Sequence, residues 1–197
     1  MKTATTHDPR LRELLVALHA MVKKVKRPYA VGGALAMAAY GYPRHTSDVD
    51  AFMIRKDLLP WLRAAREVGL NITQAFEGHH YMAWFSKHAD PNVRIDLLFP
   101  SEEIYLSGVR KPVVRDVAGM PTKLLPVEIL AAVKFASERE KDKLDFDAMF
   151  KLGLFEPQTV AVMLNAAGEK AAARAMHKKA AELERALVAD ASNKRRR

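Results

Sequence analysis

Residues 31–50, VGGALAMAAYGYPRHTSDVD, connect a pair of glycines to a pair of carboxylates. Gly32-Gly33 follows the apolar run Tyr29–Val31, which predicts a short strand, and precedes a small-residue run that predicts a helix over Ala34–Tyr40. Glycine lets the backbone approach a ligand closely, and the free N–H groups of a helix start favour an anion such as phosphate. The stretch therefore predicts a strand, a glycine turn that binds phosphate, and a helix, followed by an acidic strand.

Three aspartates are predicted to share one site. Asp48 and Asp50 lie two residues apart, and Val49–Ile54 predicts a strand, so the two side chains point to the same face. Asp96 lies in another predicted strand, Val93–Phe99, on the face opposite the alternating apolar residues. If these strands are neighbours, three carboxylates meet, and such a set of hard oxygen ligands suits Mg²⁺ or Mn²⁺.

Divalent ions held by carboxylates serve the transfer of phosphoryl or nucleotidyl groups. Two ions about 3.5–4 Å apart activate the attacking oxygen and stabilise the leaving pyrophosphate. We expect Asp96 to accept the proton of the attacking hydroxyl while it also binds metal. Arg44 and either Thr46 or Ser47 precede the carboxylates and would contact phosphate through a guanidinium and a hydroxyl.

A purely structural role is the alternative for the same aspartates. Asp48 would then cap a turn. The other two, Asp50 and Asp96, would form ion pairs with Arg44 or Arg94. The glycine pair upstream and the presence of a third aspartate on a strand favour metal binding over this alternative.

A second group of charged residues spans two predicted helices, Val127–Arg139 and Asp142–Lys151. Lys134 occupies an apolar part of the first helix, so its ammonium either extends to solvent or faces an anion. A triphosphate is the anion that suits the site described above, and we predict that Lys134, Arg139 and Asp142 bind nucleotide. The alternative is a solvated helix face held by charge pairs.

The chain changes character near residue 120. Short strands alternate with helices before this point, and the remainder is almost wholly helical. We therefore predict an α+β fold, with an α/β core over residues 1–120 and a helical region over residues 121–197 that ends in a basic tail. The remaining predicted elements are helices Leu11–Val25, Leu58–Val68, Pro157–Ala166 and Glu169–Ala189, and strands Asn71–Phe76, Tyr81–Phe85 and Val113–Val117.

Charge and composition narrow the class of protein. The formal net charge is +9, which attracts polyanions and repels cationic small molecules. Cysteine is absent, which excludes disulfides, thiolate metal sites and cysteine nucleophiles. We expect a cytoplasmic protein without a membrane span, because the sequence has no apolar signal core and no run of about 18 apolar residues.

These residues resemble the signature of the nucleotidyltransferase superfamily, the polymerase-beta-like group. That signature is a Gly-Gly or Gly-Ser pair, then Asp-X-Asp or Asp-X-Glu, and later a single Asp on a strand. Here it reads Val31-Gly32-Gly33, Asp48-Val49-Asp50 and Arg94-Ile95-Asp96. With the later block from Lys134 to Asp145, the chain is most similar to small bacterial toxins of the abortive-infection (AbiEii) type.

The resemblance implies a nucleotidyltransferase fold, a small mixed β-sheet flanked by helices and followed by a helical region. It implies transfer of NMP from an NTP to a hydroxyl. It assigns metal binding to Asp48, Asp50 and Asp96, and it assigns the triphosphate to Gly33 and Lys134. The acceptor it implies is RNA, tRNA in particular, and a cognate antitoxin protein is the partner it suggests.

Three other functions stay open. Nucleotidyltransferases that modify aminoglycosides share the glycine pair and Asp-X-Asp, but a cationic drug needs an acidic cleft and this chain is basic. A non-catalytic protein with this fold would bind nucleotide or nucleic acid, and three retained carboxylates argue against it. A zinc hydrolase using His79, His80, His88 and Asp90 is disfavoured, because adjacent residues on a strand point to opposite faces.

Overall fold

A computed structural model describes residues 9–42, 44–77, 81–86, 89–137 and 139–194 of the chain. The chain divides into two compact units, Met1–Pro126 and Val127–Arg197. The boundary predicted after residue 120 lies within a strand of the first unit, so the sheet extends slightly further along the chain than the sequence indicates.

The first unit contains a mixed sheet and several helices. Its described strands are β1 (Tyr29–Val31), β2 (Val49–Met53), β3 (Asn71–Glu77), β4 (Tyr81–Ser86), β5 (Ile95–Phe99), β6 (Val113–Val117) and β7 (Met120–Leu124). Its described helices are α1 (Pro9–Val25), α2 (Gly33–Ala39), α3 (Leu58–Glu67) and α4 (Glu103–Arg110), with a 3-10 turn at Arg55–Asp57. The strands form one sheet in the order β3-β4-β5-β2-β1-β7-β6.

Two parallel pairings, β2 with β5 and β1 with β7, occur in this otherwise antiparallel sheet. Parallel neighbours need a crossover connection, and the chain between β2 and β5 supplies α3 and the β3–β4 hairpin. The mixed sheet with helices confirms the predicted fold class.

The sequence pattern explains the core of the first unit. One stripe of α1 is buried at the helical spacing, namely Leu11, Leu14, Leu15, Leu18 and Met21. The apolar face of β5 is buried in the same way, namely Ile95, Leu97 and Phe99. Phe85 of β4 is also fully buried.

The second unit is helical in its described part. Its helices are α5 (Val127–Ala136), α6 (Glu140–Lys151), α7 (Pro157–Ala166) and α8 (Lys170–Lys194). On α8 the buried residues recur every three or four positions, namely Ala173, Met176, Ala180 and Leu183. The predicted helical region is therefore present, although α5 ends at Ala136 rather than at Arg139.

The sequence does not predict two elements of the first unit. The segment between Phe99 and Val113, for which the sequence predicts no helix or strand, contains α4, and Met120–Leu124 forms β7 although Pro121 lowers its strand propensity. Pro121 pairs with Asp116 on β6, whereas β1 pairs with β7 at Leu124, at the other end of the strand. The proline therefore does not interrupt the pairing of β7 with β1.

Several predictions concern residues outside the described ranges. They are histidines 79, 80 and 88 of the zinc-hydrolase alternative and residues 195–197 of the basic tail. Among the helices that the structure does describe, none combines the length and the apolar character needed to cross a membrane.

Candidate functional site

The parallel pairing of β2 with β5 places the predicted carboxylates side by side. Asp50 is in register with Asp96, and Val49 with Ile95. Asp48, Asp50 and Asp96 each offer one carboxylate oxygen, and these oxygens lie within 4.8 Å of one another. The three carboxylates, which we call the triad, therefore meet at one place.

Strand alternation explains why the triad lies on one face. Val49 and Ala51 are fully buried, whereas Asp50 between them is half-buried. On β5, Asp96 follows the fully buried Ile95 and is itself only 6% exposed. A shift of one residue in the register of either strand would turn its carboxylate to the other face.

The two glycines lie directly against the acidic strand. The amide of Gly32 donates to the carbonyl oxygen of Asp50 at 2.9 Å. Gly33 has a φ of +59°, which favours glycine, and a Cβ added there would overlap the carboxylate of Asp50. A Cβ on Gly32 would lie 2.5 Å from the ring of Phe52. Glycine is therefore required at both positions for the backbone to pass this close to the triad.

Arg94 contacts the most buried member of the triad. Its Nε donates to Asp96 Oδ1 at 2.7 Å and its Nη2 to Asp96 Oδ2 at 3.4 Å. The same guanidinium lies 4.0 Å from the ring centroid of Trp84 and donates to the carbonyl of Pro91 at 2.9 Å. Three kinds of contact thus fix Arg94, and through it the orientation of Asp96.

The electrostatics of the triad oppose its full ionisation. Burial raises the pKa of Asp96, the hydrogen bond and charge of Arg94 lower it, and the charge of Asp48 raises it again, so the pKa is raised overall. Asp48 accepts a hydrogen bond from the buried hydroxyl of Thr46. Like charges held this close gain most from a cation between them.

The remaining predicted residues of the first unit lie in the segment that leads into β2. Arg44 and Ser47 are both half-buried there, before Asp48. Arg94 forms the ion pair with Asp96 that the structural alternative proposed, and Thr46 donates to Asp48, so these two residues hold two of the three carboxylates. The signal for both was their spacing of two residues from an aspartate of the triad.

The second predicted group forms a network within the second unit. Lys134 Nζ contacts Asp142 and lies 2.9 Å from Asp145 Oδ2. Arg139 Nε donates to Asp142 Oδ2 at 2.6 Å, and the hydroxyl of Ser137 donates to the same oxygen at 2.7 Å. Burial opposes the ionisation of Asp142, but these donors outweigh it and the pKa of Asp142 is lowered.

The donor set of the triad fits a divalent cation. Opposite oxygens around one Mg²⁺ are about 4.2 Å apart, because each Mg–O bond is about 2.1 Å long. The triad oxygens span up to 4.8 Å, so small side-chain rotations bring them onto one ion or onto a pair of ions. A site made of carboxylate oxygens suits Mg²⁺ and Mn²⁺.

Known structures show where this fold occurs. The solution structure of the antibiotic-resistance factor ANT(2'')-Ia matches with a TM-score of 0.55 and 14% identity, covering 85% of this chain and 96% of that chain. Its crystal structure with adenylyl-2''-tobramycin matches with a TM-score of 0.52 and 15% identity, covering 85% and 97%. The fold is therefore a nucleotidyltransferase fold. Comparison with protein-family models and with curated protein sequences gives no match.

Proposed function

We propose that this protein is a metal-dependent nucleotidyltransferase that transfers NMP from an NTP to a hydroxyl acceptor. The observation that carries this proposal is the meeting of three carboxylates beside a glycine pair in a nucleotidyltransferase fold. Bound Mg²⁺ would supply neutralisation of the phosphates and activation of the attacking oxygen.

The triad residues have distinct proposed roles. Asp48 and Asp50 would bind the metal, with Mg²⁺ as the first candidate and Mn²⁺ as the second. Asp96 would bind metal and receive the proton of the acceptor hydroxyl. Arg94 would orient Asp96, and Thr46 would orient Asp48, through the hydrogen bonds described above.

The first unit also offers groups for the nucleotide. Gly32 and Gly33 would let the triphosphate approach the backbone next to Asp50, because neither glycine has a side chain that would shield its peptide group. Arg44 and Ser47 would contact phosphate oxygens through a guanidinium and a hydroxyl.

The second unit supplies the other proposed nucleotide contacts, Lys134, Arg139 and Asp142. Their mutual ion pairs are consistent with this role only if phosphate shares the cations with their carboxylate partners. Arg139 is the better placed to do so, because its side chain is 75% exposed whereas that of Lys134 is 12% exposed.

We propose RNA as the acceptor. The net charge of +9 and an isoelectric point near 9.8 favour a polyanion. An aminoglycoside is the second candidate, because ANT(2'')-Ia shares the fold and its crystal structure contains adenylyl-2''-tobramycin. A toxin role with an antitoxin partner would accompany an RNA acceptor, and it rests on the sequence resemblance.

Labelled transfer tests this proposal. The protein is incubated with each radiolabelled NTP, with Mg²⁺ or with a chelator, and with either total cellular RNA or tobramycin. We expect Mg²⁺-dependent label in RNA from the unchanged protein and from Asp116→Asn, a conservative control on β6. We expect none from the Asp48→Asn/Asp50→Asn variant, with an unchanged circular dichroism spectrum.

The outcomes separate the candidate functions. Label from the double Asn variant would refute the assignment of the triad. Label in tobramycin alone would replace the RNA acceptor and leave the transferase intact. Calorimetric binding of NTP with Mg²⁺ but no label in any acceptor would favour a non-catalytic nucleotide-binding protein.

A further inference from the structure

Exposed cations gather at the end of the first unit opposite the triad. They lie in the last turn of α1, in the segment that follows it, and after β2, and we call them the basic end: Lys23, Lys24, Lys26, Arg27, Arg55 and Lys56. The antiparallel pairing of β1 with β2 places Tyr29 in register with Met53, which brings these two segments together. The same pairing places Gly32 beside Asp50 at the other end of β1.

Acidic neighbours neutralise this charge only in part. Lys24 Nζ lies 3.0 Å from Glu67 Oε2, and Arg27 Nε lies 3.5 Å from Asp57 Oδ1. The side chains of Lys24 and Arg27 stay 49% and 57% exposed in these pairs. The basic end therefore keeps an excess of positive charge toward solvent.

Lys26 is held in a backbone conformation that glycine would adopt more easily. Its φ is +52°, and its amide donates to the carbonyl of Val22 at 2.9 Å, as at the C-terminal cap of a helix. Glycine is the usual residue at such a cap, since other residues are strained there. A lysine at this position places a cation at the basic end, although glycine would adopt the same backbone conformation with less strain.

We propose that the basic end binds the phosphate backbone of the acceptor RNA at a distance from the reacting hydroxyl. This inference rests on the proposed function. From Asp50 to Ile54 the chain is extended and advances about 3.3 Å per residue, and the 3-10 turn at Arg55–Asp57 advances about 2 Å per residue, so Lys56 lies about 17 Å from Asp50 along the chain. A nucleic acid strand advances about 3.4 Å per phosphate, so about five nucleotides cover this span.

The composition of the basic end favours nucleic acid over an acidic protein. Protein interfaces concentrate aromatic and apolar side chains at their centre and are depleted in lysine. The basic end instead presents lysine and arginine, whose affinity for phosphate does not depend on base sequence. An acceptor much shorter than about five nucleotides would reach the triad without reaching the basic end.

A pair of charge-matched variants tests the proposal. Lys26→Gln/Lys56→Gln removes two cations from the basic end, and Arg12→Gln/Lys111→Gln removes two exposed cations elsewhere on the first unit. Binding of a 20-nucleotide RNA without NTP is measured by fluorescence anisotropy across a salt series. We expect the first variant to weaken binding about tenfold and to lower the log–log salt slope by about 1.4, that is about 0.7 for each of two lost phosphate contacts on a single strand, and the control to stay within about twofold.

Lys26→Gly separates binding from folding. Glycine relieves the strain at φ +52°, so we expect an equal or higher unfolding midpoint together with weaker RNA binding. Transfer to a dinucleotide acceptor should be unchanged in all these variants. A purely structural role for Lys26 would predict no change in RNA affinity.

The proposal and the proposed function fail in different ways. RNA binding that drops equally in both charge-matched variants, or in neither, would overturn the proposal whether or not transfer occurs. Loss of poly-glutamate binding with unchanged RNA binding would identify an acidic protein as the partner and also overturn it. If the protein transfers no nucleotide but RNA binding is lost selectively in Lys26→Gln/Lys56→Gln, the proposed function would be refuted and RNA binding by the basic end would be supported.

Discussion

Asp96 in the first unit and Asp142 in the second are both buried carboxylates, 6% and 1% exposed, and their pKa values shift in opposite directions. At Asp96, burial together with the charge of Asp48 outweighs the contact with Arg94, and the pKa is raised. At Asp142, burial also opposes ionisation, but donors led by Lys134 outweigh it and the pKa is lowered.

The contrast distinguishes two uses of buried acid. In the triad the fold holds three carboxylates against one another, and Arg94 pairs with Asp96 alone in the contacts described above, so a divalent cation bound between the carboxylates would relieve the remaining repulsion. In the second unit the chain itself supplies cations to the buried acids, because Lys134 pairs with Asp142 and Asp145 and Arg139 pairs with Asp142. We therefore expect substitutions in the triad to affect ligand binding, and substitutions in the network to affect stability first.

The largest expected effect comes from adding a side chain at Gly33, where it would collide with the triad. Gly33→Ala would place a methyl group on the carboxylate of Asp50 and force a positive φ on alanine. We expect transfer to fall more than about 100-fold, the upper range for loss of a residue that supports a metal ligand. Gly41→Ala is the control, because Gly41 also has a positive φ but open space around its Cα. Equal loss of transfer in both would show that backbone strain alone is responsible.

The network of the second unit should respond in stability. Asp142→Asn leaves Lys134, whose side chain is 12% exposed, with one carboxylate fewer, and breaking a buried pair costs about 3 kcal/mol. Urea unfolding monitored by circular dichroism measures this loss. Asp48→Asn in the metal-free protein should cost much less, since it relieves repulsion with Asp96. An equal loss of unfolding free energy for the two substitutions would contradict the distinction drawn between the triad and the network.

Arg94 should tune metal affinity rather than stability. Arg94→Gln removes the group that orients Asp96, and loss of such a partner weakens metal binding about tenfold. Titration of Mn²⁺ followed by electron paramagnetic resonance reports free ion directly. Arg110→Gln, which breaks an exposed ion pair with Glu103, serves as the control. Unchanged Mn²⁺ affinity in Arg94→Gln would show that Asp96 needs no orienting partner.

The smallest effect is a pH dependence of the network. Because the pKa of Asp142 is lowered in the folded protein, its contribution to stability is fully present above the usual aspartate value of 3.8. It is lost as the pH falls from there through the folded value. The difference in unfolding free energy between the unchanged protein and Asp142→Asn should therefore shrink below pH 3.8. A difference that stays constant down to pH 2 would contradict the lowered pKa.

The local sequence pattern was sufficient to predict most of the helices and strands, and also two members of the triad, Asp48 and Asp50. Tyr29–Val31, Val113–Val117 and Pro157–Ala166 are predicted with the bounds that the structure shows, because their apolar pattern and breakers agree. The residue spacing of Asp48 and Asp50 on a strand was sufficient to place them together. To predict that Asp96 lies beside Asp48 and Asp50, one must also assume that β2 and β5 are adjacent in the sheet. The sequence alone does not supply this tertiary information.

What the sequence missed depends on tertiary context. The helix α4 is short, contains Gly108, and is stabilised by buried residues such as Ile104 and Val109 rather than by its own propensity. The pairing of Lys134 with Asp142 and Asp145 joins two helices across a turn. Charged side chains with several nearby partners leave their choice of partner unspecified until the helices are packed.

The pairing of β2 with β5 also determines when the triad forms during folding and when it is lost during unfolding. The two strands are separated along the chain by a helix and a hairpin, so no continuous fragment shorter than the segment from Val49 to Phe99 contains the paired strands. A nascent chain still within the ribosome at Phe99 would lack this pairing. We expect heating to abolish metal-ion binding by the triad and to melt the sheet in one cooperative step. No intermediate should keep the sheet without the ion site, or the ion site without the sheet.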